Sequence, residues 1–210
     1  MDSHNEQSIE KELSTLGDPS GRQDSEYWDQ WFEVVCAEDH RPFEWYCDVE
    51  EVVRILSYHL NRGSSSRMIH PGSGTSLVPL KLRDVFSSDQ VVVDVSPVAI
   101  EEMKLVHEKQ FPSKDASSDS IQYLVADILN PPLPFEAEYV ECWVDKGFVD
   151  AIFSEKSETS NRDQSRELFE EANRLLKAET GVALIVSLAE DHSLQLLLDN
   201  AFTGSWQPDI

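Results

Sequence analysis

Apolar positions along the chain fall into short blocks of two periods, broken by polar stretches. Val49, Val52, Val53, Leu56 and Leu60 recur at helical spacing and predict an amphipathic helix that ends at Asn61-Arg62-Gly63. After a polar linker at 64–66, Arg67-Met68-Ile69-His70 predicts a short strand, then a glycine turn over 71–76 and a helix over 77–82. Gln90-Val91-Val92-Val93-Asp94-Val95 is a β-branched run of the buried-strand type. Ser96 predicts an N-cap with Pro97 in the first helical position, opening a helix with Ile100, Met103, Val106 and His107 on one side. A polar insertion at 113–120 precedes a third strand over 121–127, and Pro131, Pro132 and Pro134 form a stiff connection. A fourth strand is expected over 140–144, ending at Asp145-Lys146-Gly147, and a polar loop over 154–164. Leu168, Phe169, Ala172, Leu175 and Leu176 mark a further amphipathic helix, 182–188 a fifth strand, and 193–202 a last helix.

Strands alternating with helices require right-handed crossovers. They predict an α/β fold, a Rossmann-like, doubly wound and mostly parallel sheet with helices on both faces. Ligands of such sheets sit beyond the carboxyl ends of the strands, at the switch point. Residues 1–26 carry seven acids against Lys11 and Arg22, bury too little apolar surface to offset ordering, and predict a disordered acidic tail. Residues 27–210 then form one domain. Its first part, 27–63, is an aromatic and helical lid holding Tyr27, Trp28, Trp31, Phe32, Phe43, Trp45 and Tyr46, and 64–210 is the Rossmann-like core.

Composition narrows the function classes. The 210 residues hold 40 Asp and Glu against 17 Lys and Arg, a formal charge of −23, with 40% apolar residues. Such a chain folds around a core, and its charge argues against nucleic acid or a membrane surface as partner. The longest apolar run, 182–189, is far short of the roughly 20 residues of a spanning helix. The first residues have the features of neither a signal nor a transit peptide. Cys36, Cys47 and Cys142 form no CxxC pair, so reduced packing cysteines of a cytoplasmic protein are expected, with no metal site.

Three features fall at predicted strand ends. In the turn after the first strand, Gly72 suits a positive φ and Gly74 permits close approach of a ligand. Asp94 ends the second strand, 20 residues beyond Gly74, where a carboxylate can accept from a ribose diol. Asp127, followed by apolar Ile128, suits an adenine, which needs an acceptor for its amino group and a face to stack on. Leu77 stands where a dinucleotide fold wants a third glycine, which weakens a nicotinamide dinucleotide. Two acids and no phosphate site instead fit S-adenosylmethionine, whose sulfonium is positive.

These residues resemble the class I S-adenosylmethionine-dependent methyltransferases, within them the subgroup that includes the lysine methyltransferases of eukaryotic elongation factor 1-alpha. Tyr27-Trp28 with Phe43-Glu44-Trp45-Tyr46 is similar to the subgroup's YW…FEWY, and Gly72-Ser73-Gly74-Thr75-Ser76 to its GCGNS. Val93-Asp94-Val95-Ser96 with Met103-Lys104 is similar to IDIS…MK, and Asp145-Lys146-Gly147-Phe148-Val149-Asp150 to DKGTLD, the most specific of the four. The resemblance implies that Gly72, Ser73, Gly74, Asp94, Val95, Asp127 and Ile128 line the cofactor, with Trp28 of the lid beside them. It implies that residues 145–150 border the methyl and target-amine side, where Trp45, Tyr46 and Lys146 meet substrate. His70-Pro71 replaces the usual apolar residues before the first glycine, and no strand six and seven hairpin is found before Ile210, so the expected sheet lacks it and strand five is an edge.

Methyl transfer to an amine is an in-line displacement that relies on positioning. A free lysine, pKa about 10.4, must first lose its proton. Asp145 and Asp150 are the candidates to hold or receive it, while the aromatic residues can grip a cation. His70 and His107 read as structural, and Cys142 as core. The expected partner is a protein substrate such as elongation factor 1-alpha, drawn electrostatically to the acidic chain. A small-molecule methyltransferase and an inactive methyltransferase-like interaction module are the alternatives. Oligomeric state is not legible.

Overall fold

The computed structural model of the protein describes residues 25–36, 42–60, 66–110, 120–152, 158–188 and 199, with backbone alone for 158–162. In chain order the elements are α1 (Ser25–Cys36), α2 (Val49–His59), β1 (Arg67–Pro71), α3 (Val78–Phe86), β2 (Asp89–Asp94) and α4 (Pro97–Gln110). β3 (Ile121–Val125), β4 (Cys142–Lys146), α5 (Phe148–Ile152), α6 (Glu158–Leu175) and β5 (Val182–Val186) follow. The strands form one sheet in the order β3-β2-β1-β4-β5, and every pairing is parallel. The chain thus moves outward from β1 through β2 to β3, then returns to place β4 on the other side of β1, so the switch point lies between β1 and β4.

Side chains on a strand alternate between faces, and the core divides accordingly. Ile69, Val91, Val93 and Trp143 pack on one face against Ile152 of α5 and Leu168, Phe169, Ala172 and Leu175 of α6. Met68, Cys142 and Val144 pack on the other against Val49, Val52 and Leu56 of α2 and Leu82 and Phe86 of α3. Val92 joins Ile100, Met103 and Val106 of α4 on that same side. Asp145, two residues beyond Trp143, therefore faces α5.

The helices start where the side chains provide partners for orphan amides. Asp48 accepts from Glu51 N at 3.0 Å to open α2, and Ser96 Oγ accepts from Ala99 N at 3.1 Å to open α4, as its sequence predicts. α1 adds an element that the aromatic composition alone did not announce. Trp28, Trp31, Phe32 and Val35 recur at three- and four-residue spacing, and the helix docks on Ala99 of α4. It begins at Ser25, so the expected tail overlaps it at 25–26, and the remaining tail residues lie outside those described.

Several bounds differ from expectation. α3 runs on to Phe86 because Leu82 and Phe86, one turn apart, both bury, and it ends at Ser87 with φ 53°. β3 stops at Val125 and β4 occupies 142–146 rather than 140–144, since its ladders to β1 and β5 begin at Cys142 and Val140 makes only an isolated bridge to Leu176. Residues 158–164, expected as loop on polarity alone, belong to α6: they contain neither glycine nor proline, and the buried Ser165, Leu168 and Phe169 anchor the next turns. The proline connection is tied to α6 where Glu171 accepts from Leu133 N at 2.8 Å and Arg174 donates to Phe135 O at 2.7 Å. β5 has β4 alone as strand neighbour among the described residues, and the expected helix at 193–202 lies outside them apart from Asp199.

Candidate functional site

At the carboxyl ends of the strands a cavity, partly open to solvent, lies over the switch point. Its floor is the turn after β1. Gly72 and Gly74 both take positive φ, 52° and 53°, which admits the bend without strain only for glycine. A Cβ at Gly72 would stand 2.3 Å from the Phe148 ring, and one at Gly74 2.9 Å from Phe32, so the turn is packed on both flanks. Ser73 N donates to Val93 O at 3.2 Å, pinning the turn to β2. The Ser73 hydroxyl is buried without a partner among the described residues.

Asp94 closes β2 and joins the turn directly. Its Oδ2 accepts from Gly74 N at 2.7 Å and its Oδ1 from Ser96 N at 2.9 Å. Burial pushes its carboxyl up to about 6 against the pull of these amides, with the Asp29 charge adding to the rise. The Val95 amide also bears on this carboxylate, which lines the cavity as an acceptor. Asp127 is exposed and its Oδ1 accepts from Leu129 N at 2.9 Å, which folds the chain so that Ile128 is buried at the cavity edge.

The remaining wall is aromatic. Trp28 and Phe32 of α1, with Phe43, Trp45 and Tyr46, face the glycine turn and the β4 tip. Trp31 stacks on Trp45 with centroids 5.6 Å apart and meets Phe43 edge-on at 5.2 Å. Trp45 and Tyr46 are 38% and 39% exposed, so their rings are part wall and part rim.

Every residue expected at the site lines this cavity except Asp145. Asp145 is fully buried. Its Oδ1 accepts from Phe148 N at 3.0 Å and Val149 N at 3.3 Å, opening α5, while Oδ2 is buried without a partner among the described residues. Burial pushes its carboxyl up to about 8, the two amides opposing and the Asp150 charge assisting. Asp150 does line the cavity, held by Ser187 Oγ at 2.7 Å and Leu188 N at 3.3 Å. Lys146 does not pair with Asp145, whose side chain turns to α5. It meets Glu44 Oε2 at 2.6 Å and donates to Trp45 O at 2.9 Å, with only 6% of its side chain exposed.

Two acids escaped the sequence reading. Glu44 accepts from Leu77 N at 2.6 Å and Ser76 Oγ at 2.8 Å as well as meeting Lys146. Asp29 accepts from Ser96 Oγ at 2.5 Å and Val98 N at 3.3 Å, fastening α1 to the start of α4. The signal for Glu44 was its place inside Phe43-Glu44-Trp45-Tyr46, a stretch noticed for its rings. His70 is buried on Gln90 Oε1 at 2.7 Å, and burial lowers it to about 4, so it is a neutral structural group. Among the described residues no group of three or more His, Cys, Asp or Glu is arranged to hold a metal, and no helix is long and apolar enough to cross a membrane.

This architecture is shared with solved structures. A TehB-like methyltransferase from Corynebacterium glutamicum superposes with a TM-score of 0.51 over 87% of this chain and 84% of its own, at 16% identity. TrmN from Thermus thermophilus gives 0.53 over 72% of this chain and 40% of its own, at 14% identity. The fold is that of the class I methyltransferases. In sequence, the chain is 26% identical over 181 residues to the eEF1A lysine and N-terminal methyltransferase homolog of Drosophila melanogaster, covering 86% of this chain and 25% of that protein. The mouse eEF1A lysine and N-terminal methyltransferase is likewise 26% identical, over 87% of this chain and 24% of its own length. Methyltransferase srdJ of Neurospora crassa is 32% identical over 60% of this chain and 52% of its own. The chain thus spans about a quarter of the first two relatives and about half of the third. No protein-family model matches it.

Proposed function

We propose that this chain is an S-adenosylmethionine-dependent methyltransferase whose acceptor is a protein amine, a lysine of an elongation factor 1-alpha-like protein. The observation that carries the cofactor half is the convergence of the glycine turn, Asp94 and Asp127–Ile128 on one cavity at the switch point. Asp94 brings a carboxylate to the cavity as the acceptor for a ribose diol, and Ile128 beside Asp127 offers a face and an acceptor to an adenine. A second feature argues against a pyrophosphate: the amide of Leu77, where α3 starts, is occupied by the Glu44 carboxylate. Bound here, S-adenosylmethionine would supply an electrophilic methyl group. The names of the two eEF1A-methylating relatives support the acceptor half, as does the acidity of the chain towards a basic protein.

The chain's own residues have three tasks in this reading. The aromatic wall excludes water and holds a cation against the exposed rings of Trp45 and Tyr46. Partial desolvation there lowers the affinity of an amine for its proton. Asp150, whose oxygens each keep a lone pair beside Ser187 and Leu188, is placed at the cavity to receive that proton. Asp145 acts behind it, setting the start of the α5 turn that carries Asp150.

Calorimetry with S-adenosylhomocysteine tests the cofactor. The wild-type chain binds, and Asp94→Ala weakens binding by roughly 30-fold or more, because a buried acceptor and the anchor of Gly74 go together. Absence of binding by the folded wild type would reject the assignment. Labelled cofactor added to a protein extract tests the acceptor. Label in a basic protein of the translation machinery is expected; label in small molecules alone moves the acceptor, and silence despite binding leaves an inactive module.

A further inference from the structure

We propose that Glu44 and Lys146 form a clamp that positions the acceptor wall of the cavity, and that Lys146 is a positioning residue rather than a substrate contact. Three segments far apart in sequence meet at this pair. One carboxylate of Glu44 takes Leu77 N and Ser76 Oγ from the end of the glycine turn and the Lys146 ammonium from the tip of β4. The same ammonium donates back to Trp45 O, one residue along from Glu44. The cation is neutralised and almost wholly buried, so it has neither the exposure nor the spare charge to greet a cationic amine.

The clamp sets where the rings go. Trp45 O is held by Lys146, and Cys47 N returns to the same carbonyl at 2.7 Å, forming a tight bend at Tyr46, whose φ is +63°. A non-glycine residue in that region is strained and persists where its surroundings over-determine it. The bend lays Tyr46 and Trp45 over Gly147, at which a Cβ would stand 3.3 Å from the Tyr46 ring. The two rings are thus fixed over the β4 tip, in the same cavity as Asp150. Among the described residues the Lys146 ammonium alone ties the Trp45 carbonyl to the sheet.

The functional part of this inference rests on the cofactor reading above, but the clamp can be tested without it. Hydrogen exchange of the unliganded protein is measured for wild type, Glu44→Gln, Lys146→Met and the double variant, with Lys146→Arg as the conservative control. The clamp predicts exchange at least tenfold faster over residues 43–48 in either single variant, with residues 121–125 unchanged. The double variant is no faster than the worse single, and Lys146→Arg returns towards wild type. Alongside, both single variants weaken S-adenosylhomocysteine roughly tenfold at nearly unchanged melting temperature, a split that general destabilisation would not give. Additive effects in the double variant, or unchanged exchange over 43–48, overturn the clamp. Failure of the wild type to bind S-adenosylhomocysteine rejects the cofactor reading instead, and the exchange data still decide the clamp.

Discussion

At the amino-terminal end of the sheet, Glu141 accepts from Arg67 N at 2.6 Å and pairs with the Lys177 ammonium, and the Arg67 guanidinium lies 4.1 Å over the Tyr139 ring. At the carboxyl end, Asp94 and Asp145 are buried more deeply yet meet backbone amides and no cation among the described residues. The consequences are opposite in sign. Burial alone would raise Glu141, but Lys177 and the Arg67 amide outweigh it and hold the carboxyl below its usual range. Burial prevails at Asp94 and Asp145 and pushes them up, to about 6 and about 8. One end spends its acids on holding the chain together. The other, apart from the Glu44–Lys146 pair, keeps the undercompensated Asp94 and Asp145 next to a cavity, as sites that bind or move charge do.

The largest expected effect tests whether the carboxyl end is as tightly built as this contrast requires. Gly72→Ala places a methyl group into the Phe148 ring and a non-glycine residue at φ 52°. A loss of about 2–4 kcal/mol in urea denaturation is expected. Measured against Phe148→Ala alone, the double variant returns only the part due to the ring; the Phe148 Cβ, 2.9 Å away, and the backbone part remain. If Gly72→Ala cost less than about 0.5 kcal/mol, the turn would be loose and Asp94 would not be held where its role needs it.

The pH dependence sharpens the comparison next. Asp145 has a native pKa of about 8 against an ordinary unfolded value near 3.9. Between these the native state binds more protons than the unfolded chain, so stability falls as pH rises, until Asp145 is ionised above about 8. His70, lowered to about 4, works the other way between 4 and 6.5, and Asp94 falls within much the same range. The window from pH 6.5 to 8 therefore isolates Asp145. Wild type should lose up to about 2 kcal/mol across it, and Asp145→Asn should flatten that slope. An unchanged slope would mean that the carboxyl is not held protonated.

What the sequence disclosed and what it hid divides along the same line. The parallel sheet followed from alternation but its strand order did not, and Gly72, Gly74, Asp94 and Asp127 were legible as cavity residues because a turn at a strand end needs special residue types. Asp145 was legible as a strand-end acid, but its direction was not. That depends on side-chain parity with Trp143 and on an α5 that begins three residues later. Glu44 and Asp29 were hidden for a different reason. Their partners, Leu77, Lys146 and Ser96, lie 33 to 102 positions away, and no local pattern reports a contact formed only when the lid meets the sheet. The loop expected at 158–164 failed because polarity was read as breaking a helix, when only glycine or proline would have done so strongly.

The smallest effect belongs to the well-paired end, and its sign matters more than its size. Glu141→Gln leaves an acceptor for Arg67 N but removes the charge that meets Lys177. Because Lys177 is 43% exposed, solvent screens the pair, and the loss at pH 7 should be about 0.5–1 kcal/mol. A lowered native pKa means that this contribution is present above the unfolded pKa and disappears as pH falls through the native one. The difference between variant and wild type should therefore shrink as pH falls below the ordinary glutamate value and vanish once it passes the lowered native one. S-adenosylhomocysteine affinity should not change, since the pair lies at the opposite end of the strands from the cavity. Neutralising an acid would thus destabilise at one end of the sheet and, at Asp145, relieve an alkaline loss at the other. Were both substitutions to shift stability in the same direction at pH 8, the electrostatic difference between the two ends would not exist.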